Sequence, residues 1–213
     1  MNPTIRAPRP SGGFFIQNII PMSSTHIRTF VAIKLALSPE YNGLRTALRQ
    51  RTAYDQIRWC NDDLIHLTVQ FIGKTPVALL PQIKASLDQI SAEIPQFPLA
   101  ITKLGLFGSH YAPRIVWLGL TPRPELIQLH EKTAQFLAQI GLPVAQENFV
   151  PHITLGRIKE VDNKKRFSAL IEELQPDFKQ EFHIDSVNLM QSHFHNYEVS
   201  YSTLHTSHLK EKQ

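Results

Sequence analysis

Two stretches of the sequence share one pattern: HLTVQFIG at residues 66–73 and PHITLGRI at residues 151–158. Each contains a histidine, a hydrophobic residue, a threonine and a second hydrophobic residue within a predicted strand. Because successive strand side chains point to opposite faces, His66 and Thr68 share one face, as His152 and Thr154 do in the second strand. Each strand therefore gives hydrophobic side chains to a core and presents an imidazole beside a hydroxyl on its other face.

The elements around the two motifs follow a similar order. Each motif comes after a predicted strand and helix, and His152 lies 86 residues after His66, the spacing that a duplicated lobe would leave. This order predicts an α+β domain with a mixed or antiparallel sheet. The predicted strands are residues 29–35, 64–72, 99–106, 114–120, 152–157, 182–190 and 197–204. The predicted helices are residues 39–50, 80–90, 124–140 and 163–174, with Ser38 and Asp162 as the N-caps of the first and the last.

Length and composition indicate an ordinary globular protein. The chain has 213 residues, of which 42% are hydrophobic, enough to bury a core without disulfides or metals. We expect a flexible N-terminal arm over residues 1–25, which is rich in Pro and Gly, a single two-lobed domain over 26–209 and a C-terminal tail over 210–213. The one cysteine, Cys60, excludes a disulfide framework and favours a cytoplasmic location. We expect no signal peptide and no membrane span.

The formal net charge of +4 invites a nucleic-acid interpretation, so the position of the charges matters. Residues 1–25 carry +2 and residues 210–213 carry +1, which leaves +1 for residues 26–209. The body of the protein therefore has no large excess of positive charge. Any contact with nucleic acid should be confined to a focused site.

The two histidine–threonine units suit acid–base chemistry at an anion. An imidazole has an ordinary pKa of ~6.5, so near neutral pH one histidine can accept a proton while another donates one. A threonine hydroxyl two residues along can donate a hydrogen bond to a nonbridging oxygen. Two such units facing each other across a cleft suit in-line displacement at phosphorus without a metal. A lone His-x-Thr on a strand is common and uninformative, but two copies with matching hydrophobic positions favour a functional site.

These residues resemble the two-histidine (2H) phosphoesterase superfamily, and within it the RNA 2′,3′-cyclic phosphodiesterases, also called 2′-5′ RNA ligases. The resemblance covers residues 28–204 and implies an α+β fold of two pseudo-symmetric lobes around a central cleft, each a mainly antiparallel sheet with helices on the outside. It rests on these segments: RTFVAI, IRWCNDDLIHLTVQFIG, LGLFGSHYAPRIVWLGL, FVPHITLGR and SVNLMQS.

The resemblance also implies a role for each site residue. His66 would be the proton donor to the departing ribose oxygen and His152 the proton acceptor that activates water, although the two roles can exchange with reaction direction. Thr68, Thr154 and Arg157 would bind the phosphate. The implied reaction opens an RNA 2′,3′-cyclic phosphate to a 2′-phosphomonoester, and family members also join RNA ends through a 2′-5′ linkage without ATP. The implied substrates are RNA 3′ ends or 2′,3′-cyclic nucleotides, with no metal, no cofactor, no membrane and no obligatory protein partner, and we expect a monomer.

Three alternatives stay open from the sequence. The substrate could be another phosphodiester, such as a 2′-5′ oligonucleotide or ADP-ribose 1″,2″-cyclic phosphate. The cleft could bind RNA ends without turnover, or histidines could hold a catalytic metal.

Three further features are weaker. Gly73-Lys74-Thr75 lacks the upstream glycine of a P-loop. The C-terminal histidines His193, His195, His205 and His208 lack the accompanying carboxylates or cysteines of a metal site. Five aromatic residues near the motifs or the central loop are candidates to stack on a base, although most of them are expected in the core: Trp59, Phe71, Phe107, Tyr111 and Phe149. Tyr111 is the best of these candidates, with His110 and Arg114 as contacts to RNA phosphates.

Overall fold

The computed structural model describes residues 25–109, 111–144, 148–196 and 198–212. The helices within them are α1 (Tyr41–Arg51), α2 (Leu80–Glu93), α3 (Pro124–Gln139) and α4 (Lys164–Glu173), with 3₁₀ turns at Asp62–Leu64 and Val77–Leu79. The strands are β1 (His26–Lys34), β2 (Gln56–Trp59), β3 (His66–Pro76), β4 (Phe97–Ser109), β5 (Ala112–Leu120), β6 (His152–Glu160), β7 (Glu181–Ile184), β8 (Ser186–His195) and β9 (Glu198–His208). The predicted arm, apart from Thr25, lies outside the described residues.

The strands form a curled sheet in which neighbouring strands run antiparallel. Their order is β7-β4-β5-β6-β3-β1-β8-β9, and β2 pairs with the second part of β6, at residues 156–160. This arrangement confirms the predicted α+β class and the antiparallel sheet. Antiparallel neighbours allow one face of a sheet to pack on a core while the other stays open.

The sheet divides into two halves that have the same plan. The first half contains β3, β1, β8 and β9, and the second contains β6, β5, β4 and β7. In chain order, β1-α1-β3-α2 of the first half corresponds to β5-α3-β6-α4 of the second, with β2 inserted before β3. The halves meet where Leu67 of β3 pairs with Ile153 of β6. These are equivalent positions of the two sequence motifs.

The helices cover one face of the sheet, because all four contribute to the same hydrophobic core as the strands. Leu48, Leu87, Leu129 and Phe167 represent the four helices there, each with 1% exposure or less. The opposite face, which we call the concave face, carries a separate small apolar cluster of Phe30, Ala32 and Met190, with Tyr201 packed against it. The four helices therefore pack on the face opposite to this cluster.

The strong helical and strand patterns were predicted well, but the helix caps were not. Both predicted N-caps are wrong: α1 starts at Tyr41 after a turn at Pro39, and Asn163, not Asp162, caps α4 by accepting from the Arg166 N–H at 3.0 Å. The strand β2, which has four residues, was not predicted, and β7 and β8 were predicted as one strand. Short strands carry too few alternations to be recognised.

Lys210, the first residue of the predicted C-terminal tail, pairs with the segment that leads into β4. Lys210 forms backbone hydrogen bonds with Ile94 and Gln96, each at 2.9 Å. Leu209, beside it, is 4% exposed and belongs to the core.

Candidate active site

The two motif histidines are held in the same way. The Nδ1 atom of His66 donates to the Leu64 carbonyl at 2.7 Å, and Nδ1 of His152 donates to the Val150 carbonyl at 2.7 Å. Because a carbonyl only accepts, each neutral ring carries its hydrogen on Nδ1. The Nε2 atom of each ring is then the position that takes up or delivers a proton.

The strand pairing brings the two motifs together. Antiparallel pairing of Leu67 with Ile153 places His66 level with Thr154 and Thr68 level with His152. All four side chains are half-buried and lie on the concave face, because the residues between them, Leu67 and Ile153, are fully buried in the core. The structure therefore assembles four of the five predicted site residues from two strands.

The pKa of both imidazoles is lowered. For His66 the main cause is burial, followed by the charges of His152 and Arg157, while the hydrogen bond to Leu64 acts in the opposite direction. For His152 the causes are burial and then Arg157, again opposed by its backbone hydrogen bond. The positive charge of the exposed Arg157 thus acts on both rings. With a pKa below the ordinary ~6.5, both imidazoles are mainly neutral at pH 7 in the free protein.

Aromatic rings flank each histidine. The ring of His66 lies 5.2 Å from both Phe30 and Tyr201. The ring of His152 lies 4.7 Å from Phe107 and 6.3 Å from Trp117, in edge-on geometry. These rings restrict the imidazole orientations and account for the burial that lowers their pKa.

A matched pair of β-bulges determines which residues after the motifs face the site. Thr68 pairs with Ala32 whereas Gln70 pairs with Val31, so Val69 is an extra residue in β3. The same shift in β6 makes Leu155 extra. A bulge changes the alternation of faces by one residue.

Arg157 and Phe71 therefore join the concave face of their strands. The first six residues of β3 and β6 have identical burial patterns, ending in an exposed Phe71 and an exposed Arg157. The two residues occupy equivalent positions, each five residues after its histidine. One half thus presents a cation and the other an aromatic ring.

A third histidine, His130 of α3, supports both motifs from the core side. Its Nδ1 atom donates to the carbonyl of Val69, the bulged residue beside Thr68, at 2.7 Å. Its ring stacks on Phe149, three residues before His152, at 4.2 Å and 8°. Sequence reasoning missed this residue, because nothing in the pattern of α3 separates it from a surface histidine.

The weaker predicted contacts lie at or near the β4–β5 turn. Tyr111 is 83% exposed in the turn between β4 and β5, Arg114 is exposed nearby, and His110 lies outside the described residues. Phe71, one of the five aromatic residues considered near the motifs, is 57% exposed. The bulge at Val69 turns it outward.

Two of the four C-terminal histidines have separate partners. His193 bonds Ser202, and His205 bonds Asp88 of α2 at 2.7 Å. Within the described ranges no group of three or more His, Cys, Asp or Glu side chains is placed to hold a metal ion. None of the described helices combines the length and hydrophobicity that a membrane span requires.

Comparisons with known proteins place this geometry in a family. The sequence profile of the 2′-5′ RNA ligase superfamily matches residues 31–196. The RNA 2′,3′-cyclic phosphodiesterase of Aquifex aeolicus is 32% identical over 133 residues, which cover 62% of this chain and 69% of the relative. The enzyme of the same name from Thermotoga maritima is 31% identical over 116 residues, covering 54% of this chain and 60% of the relative's length.

A solved structure gives the same result for the fold. The crystal structure of TT0787 of Thermus thermophilus superimposes with a TM-score of 0.69 at 20% identity, over 88% of this chain and all of the other. The profile match covers well over half of the sequence and includes both motifs. The chain is a member of the 2′-5′ RNA ligase superfamily, the two-histidine phosphoesterases that its paired motifs indicated.

Proposed function

We propose that this protein hydrolyses RNA 2′,3′-cyclic phosphate ends to 2′-phosphomonoesters by acid–base catalysis with two histidines. The observation that carries the proposal is the matched pair of imidazoles, each fixed through Nδ1 to a backbone carbonyl at 2.7 Å. This arrangement leaves two Nε2 atoms as proton-transfer groups on strands that meet at Leu67 and Ile153. The names of the curated relatives support a cyclic phosphodiester as the substrate.

The proposed reaction is an in-line displacement at phosphorus. Neutral His152 accepts a proton from water at Nε2 as the water oxygen forms a bond to phosphorus. The bond from phosphorus to the ribose O3′ breaks, and protonated His66 delivers its Nε2 proton to O3′. General acid–base assistance of this kind contributes ~10²–10⁴-fold in rate. His152 then returns its proton to solvent and His66 takes one up.

The phosphate has complementary donors on both strands. The hydroxyls of Thr68 and Thr154 and the guanidinium of Arg157 donate to the nonbridging oxygens, where negative charge increases in the transition state. The bound phosphodiester anion also raises the pKa of the nearby imidazoles. Substrate binding therefore favours the protonated form that His66 needs.

The same groups can join RNA ends. If a 5′-hydroxyl replaces water, His152 accepts the hydroxyl proton and the product is a 2′-5′ phosphodiester, with O3′ again protonated by His66. The energy of the strained cyclic phosphate is retained in the new bond, so ATP is not required. We regard hydrolysis as the main reaction, because water is the more abundant nucleophile.

The proposal also covers the oligomeric state, the cofactor requirement and the cellular location of the protein. We propose a metal-independent, cofactor-independent monomer in the cytoplasm that acts on RNA 3′ ends and 2′,3′-cyclic nucleotides. Two imidazoles supply both proton transfers, so the chemistry needs no metal. The unpaired cysteine, Cys60, fits a reducing compartment.

Product analysis on histidine variants tests the function. We expect His66→Ala and His152→Ala each to lower turnover of 2′,3′-cyclic nucleotides by ~10²–10⁴-fold, with unchanged circular dichroism and thermal unfolding. His183→Ala is the matched control, because His183 lies on the remote strand β7 and bonds only Gln96 among its described partners. Chromatography should identify a 2′-phosphate product that forms equally in the presence of EDTA.

Several outcomes would contradict the proposal. Wild-type activity in both histidine variants would remove the mechanism, and inactivation by EDTA would indicate a metal hydrolase. Turnover of a 2′-5′ oligonucleotide or ADP-ribose 1″,2″-cyclic phosphate, with none on 2′,3′-cyclic ends, would assign another substrate. Tight binding of RNA ends without turnover would indicate a binding module.

A further inference from the structure

The proposed reaction implies an orientation of the substrate in the cleft. The inference drawn from this orientation rests on the proposed function. The leaving oxygen, O3′, belongs to the RNA chain, whereas the attacking oxygen comes from water. In an in-line displacement these two oxygens lie on opposite sides of phosphorus. If His66 protonates O3′, the ribose and everything upstream of it lie on the His66 side, over the concave face of the first half of the sheet.

That face carries an exposed aromatic ring next to the histidine. Phe71 is 57% exposed, and its ring lies 6.0 Å from Phe30, which in turn packs 5.2 Å from His66. Phe30 also contacts Tyr201 at 5.0 Å. The three rings form one connected cluster beside the catalytic imidazole, in which Phe30 is buried and Phe71 is the exposed member. The equivalent position in the second half holds Arg157. The first half thus offers an aromatic ring that suits a base, whereas the second half offers a cation that suits a phosphate.

Beyond Phe71 the same face becomes positively charged. Arg28 of β1 lies directly opposite Lys74 of β3, and both side chains are exposed. Arg28 shares its face with Phe30 and Ala32, since alternate residues of β1 point the same way. Neither cation has an ion-pair partner among the residues that the structure describes. Like charges opposite each other in a sheet are destabilising, and an anion between them removes that cost.

The distance from the motif to this pair exceeds the reach of a mononucleotide. Lys74 lies six positions after Thr68, and register shifts in the β1–β3 pairing make two of the residues between them extra. At ~3.3 Å for each strand residue, the pair lies roughly 13–20 Å along the strand from Thr68. Each nucleotide of a stacked strand advances at least ~3.4 Å, so a chain of about four nucleotides spans the distance.

We infer that the concave face of the first half binds the single-stranded RNA upstream of the cyclic phosphate, with Phe71 stacked on the terminal base and the Arg28–Lys74 pair on an upstream backbone phosphate. The preferred substrate class is then an RNA 3′ end of several nucleotides. Free 2′,3′-cyclic mononucleotides use Phe71 and the catalytic groups but do not reach the cation pair. This binding surface requires two local cations and no broad basic region. It is therefore compatible with the low net charge of residues 26–209.

Substrates of increasing length test the inference. The measurement is kcat/KM for a 2′,3′-cyclic mononucleotide and for di-, tetra- and hexanucleotides that end in the same cyclic phosphate. In the wild type we expect kcat/KM to rise with length up to the tetranucleotide. Arg28→Gln with Lys74→Gln should abolish the rise and leave turnover of the mononucleotide unchanged. Lys164→Gln with Lys165→Gln, on the exposed start of α4, removes the same charge from the helix-covered face and should behave as the wild type.

Phe71 is tested separately, because its effect should not depend on length. Phe71→Ala should lower kcat/KM on the mononucleotide and on the tetranucleotide by a similar factor, ~5- to 100-fold, as expected for loss of one stacked base. Phe71→Tyr should retain the wild-type value. Equal activity of Phe71→Ala and wild type would remove the stacking contact.

Binding without turnover provides a second readout. Fluorescence anisotropy with a tetranucleotide that carries the 2′-phosphate product end should show that the salt dependence of log Kd falls by about 0.7 in the Arg28–Lys74 double variant, since each contacted phosphate of a single strand contributes ~0.7. An unchanged slope, or a wild type whose kcat/KM is independent of length, would overturn the inference while the proposed function stands. Absence of turnover on every cyclic substrate would overturn the proposed function, and the inference with it.

Discussion

Leu67 pairs with Ile153, and the two residues hold the same place in two motifs that run antiparallel. A local twofold axis therefore passes through this pair and relates His66 to His152 and Thr68 to Thr154. The pair itself is fully buried, so the core fixes the relative position of the strands. The relative position of the polar groups on the concave face follows from that of the strands. This relationship explains why the two imidazoles have the same backbone hydrogen bond at the same length.

Arg157 should contribute to phosphate binding through its fork of donors. Arg157→Gln should lower kcat/KM by about 10- to 100-fold, the range expected for a lost charge-assisted hydrogen bond. Arg157→Lys should recover only part of the loss, because an ammonium cannot bind two oxygens in one plane. Arg49→Gln on α1 removes the same charge elsewhere and serves as the control. Equal kinetics for Arg157→Gln and Arg49→Gln would show that the guanidinium does not contact the phosphate.

The activity should depend on pH in a way that follows from the lowered pKa of both histidines. The active form has one neutral and one protonated imidazole, and its population is greatest between the two macroscopic pKa values of the pair. Because burial and Arg157 lower the pKa of both groups, we expect kcat/KM to be greatest at a pH below ~6.5. Arg157→Gln removes a positive charge, so it should raise both pKa values and shift the maximum to higher pH.

The pH profile is measured at constant ionic strength, because salt screens the effect of Arg157. A maximum on the alkaline side of neutrality would show that the pair does not titrate as described. A maximum that stays in place in Arg157→Gln would show that the guanidinium is too far from the imidazoles to affect them.

Gly105 allows a test of the aromatic packing of Trp117 and Phe107 beside His152. A Cβ atom at this position would lie 2.4 Å from the Trp117 ring, and that ring packs on Phe107 at 5.0 Å and faces His152. Gly105→Ala should therefore displace Trp117, cost about 1–3 kcal/mol of unfolding free energy and lower kcat. In contrast, Gly43 of α1 has open space around it, so Gly43→Ala should stabilise the protein by ~0.5–1 kcal/mol with unchanged kcat. Denaturant unfolding measures the stability of both variants, and steady-state kinetics measure their kcat. Unchanged stability and kcat in Gly105→Ala would show that the Trp117 ring moves aside without cost.

His130 should act as a positioning residue for the two motifs. His130→Phe retains the stacking on Phe149 and removes the donor to the Val69 carbonyl. Leaving that carbonyl without a partner should cost about 1–3 kcal/mol of stability. Because Val69 follows Thr68 directly, kcat should fall while KM changes little. Thermal unfolding separates the two effects: a temperature at which the variant is fully folded should still show the lower kcat. Recovery of full kcat under those conditions would assign His130 a purely structural role.

The sequence determined the parts of this protein that depend on local pattern. Alternation along residues 64–72 and 152–157 placed both His–Thr units on strands with their hydrophobic neighbours in a core, as the structure has them. Helical periodicity located α3 to within one residue of its end. The repeated order of strand, helix and motif indicated the duplicated plan. These features depend on residues a few positions apart, whose spacing is visible in one chain.

Only the tertiary structure decided what lies beside the motifs. Arg157 and Phe71 each lie three residues after the threonine of their motif. Strict alternation along a strand would therefore point both side chains into the core. The bulges at Leu155 and Val69 reverse that, and each bulge is set by the partner strand: by Val116 and Trp117 for β6, and by Val31 and Ala32 for β3. Likewise, the strand pairing between the two halves joins Leu67 to Ile153, which are 86 residues apart in the described chain. Register between strands is fixed by packing across the sheet, and that information is spread over residues distant in sequence.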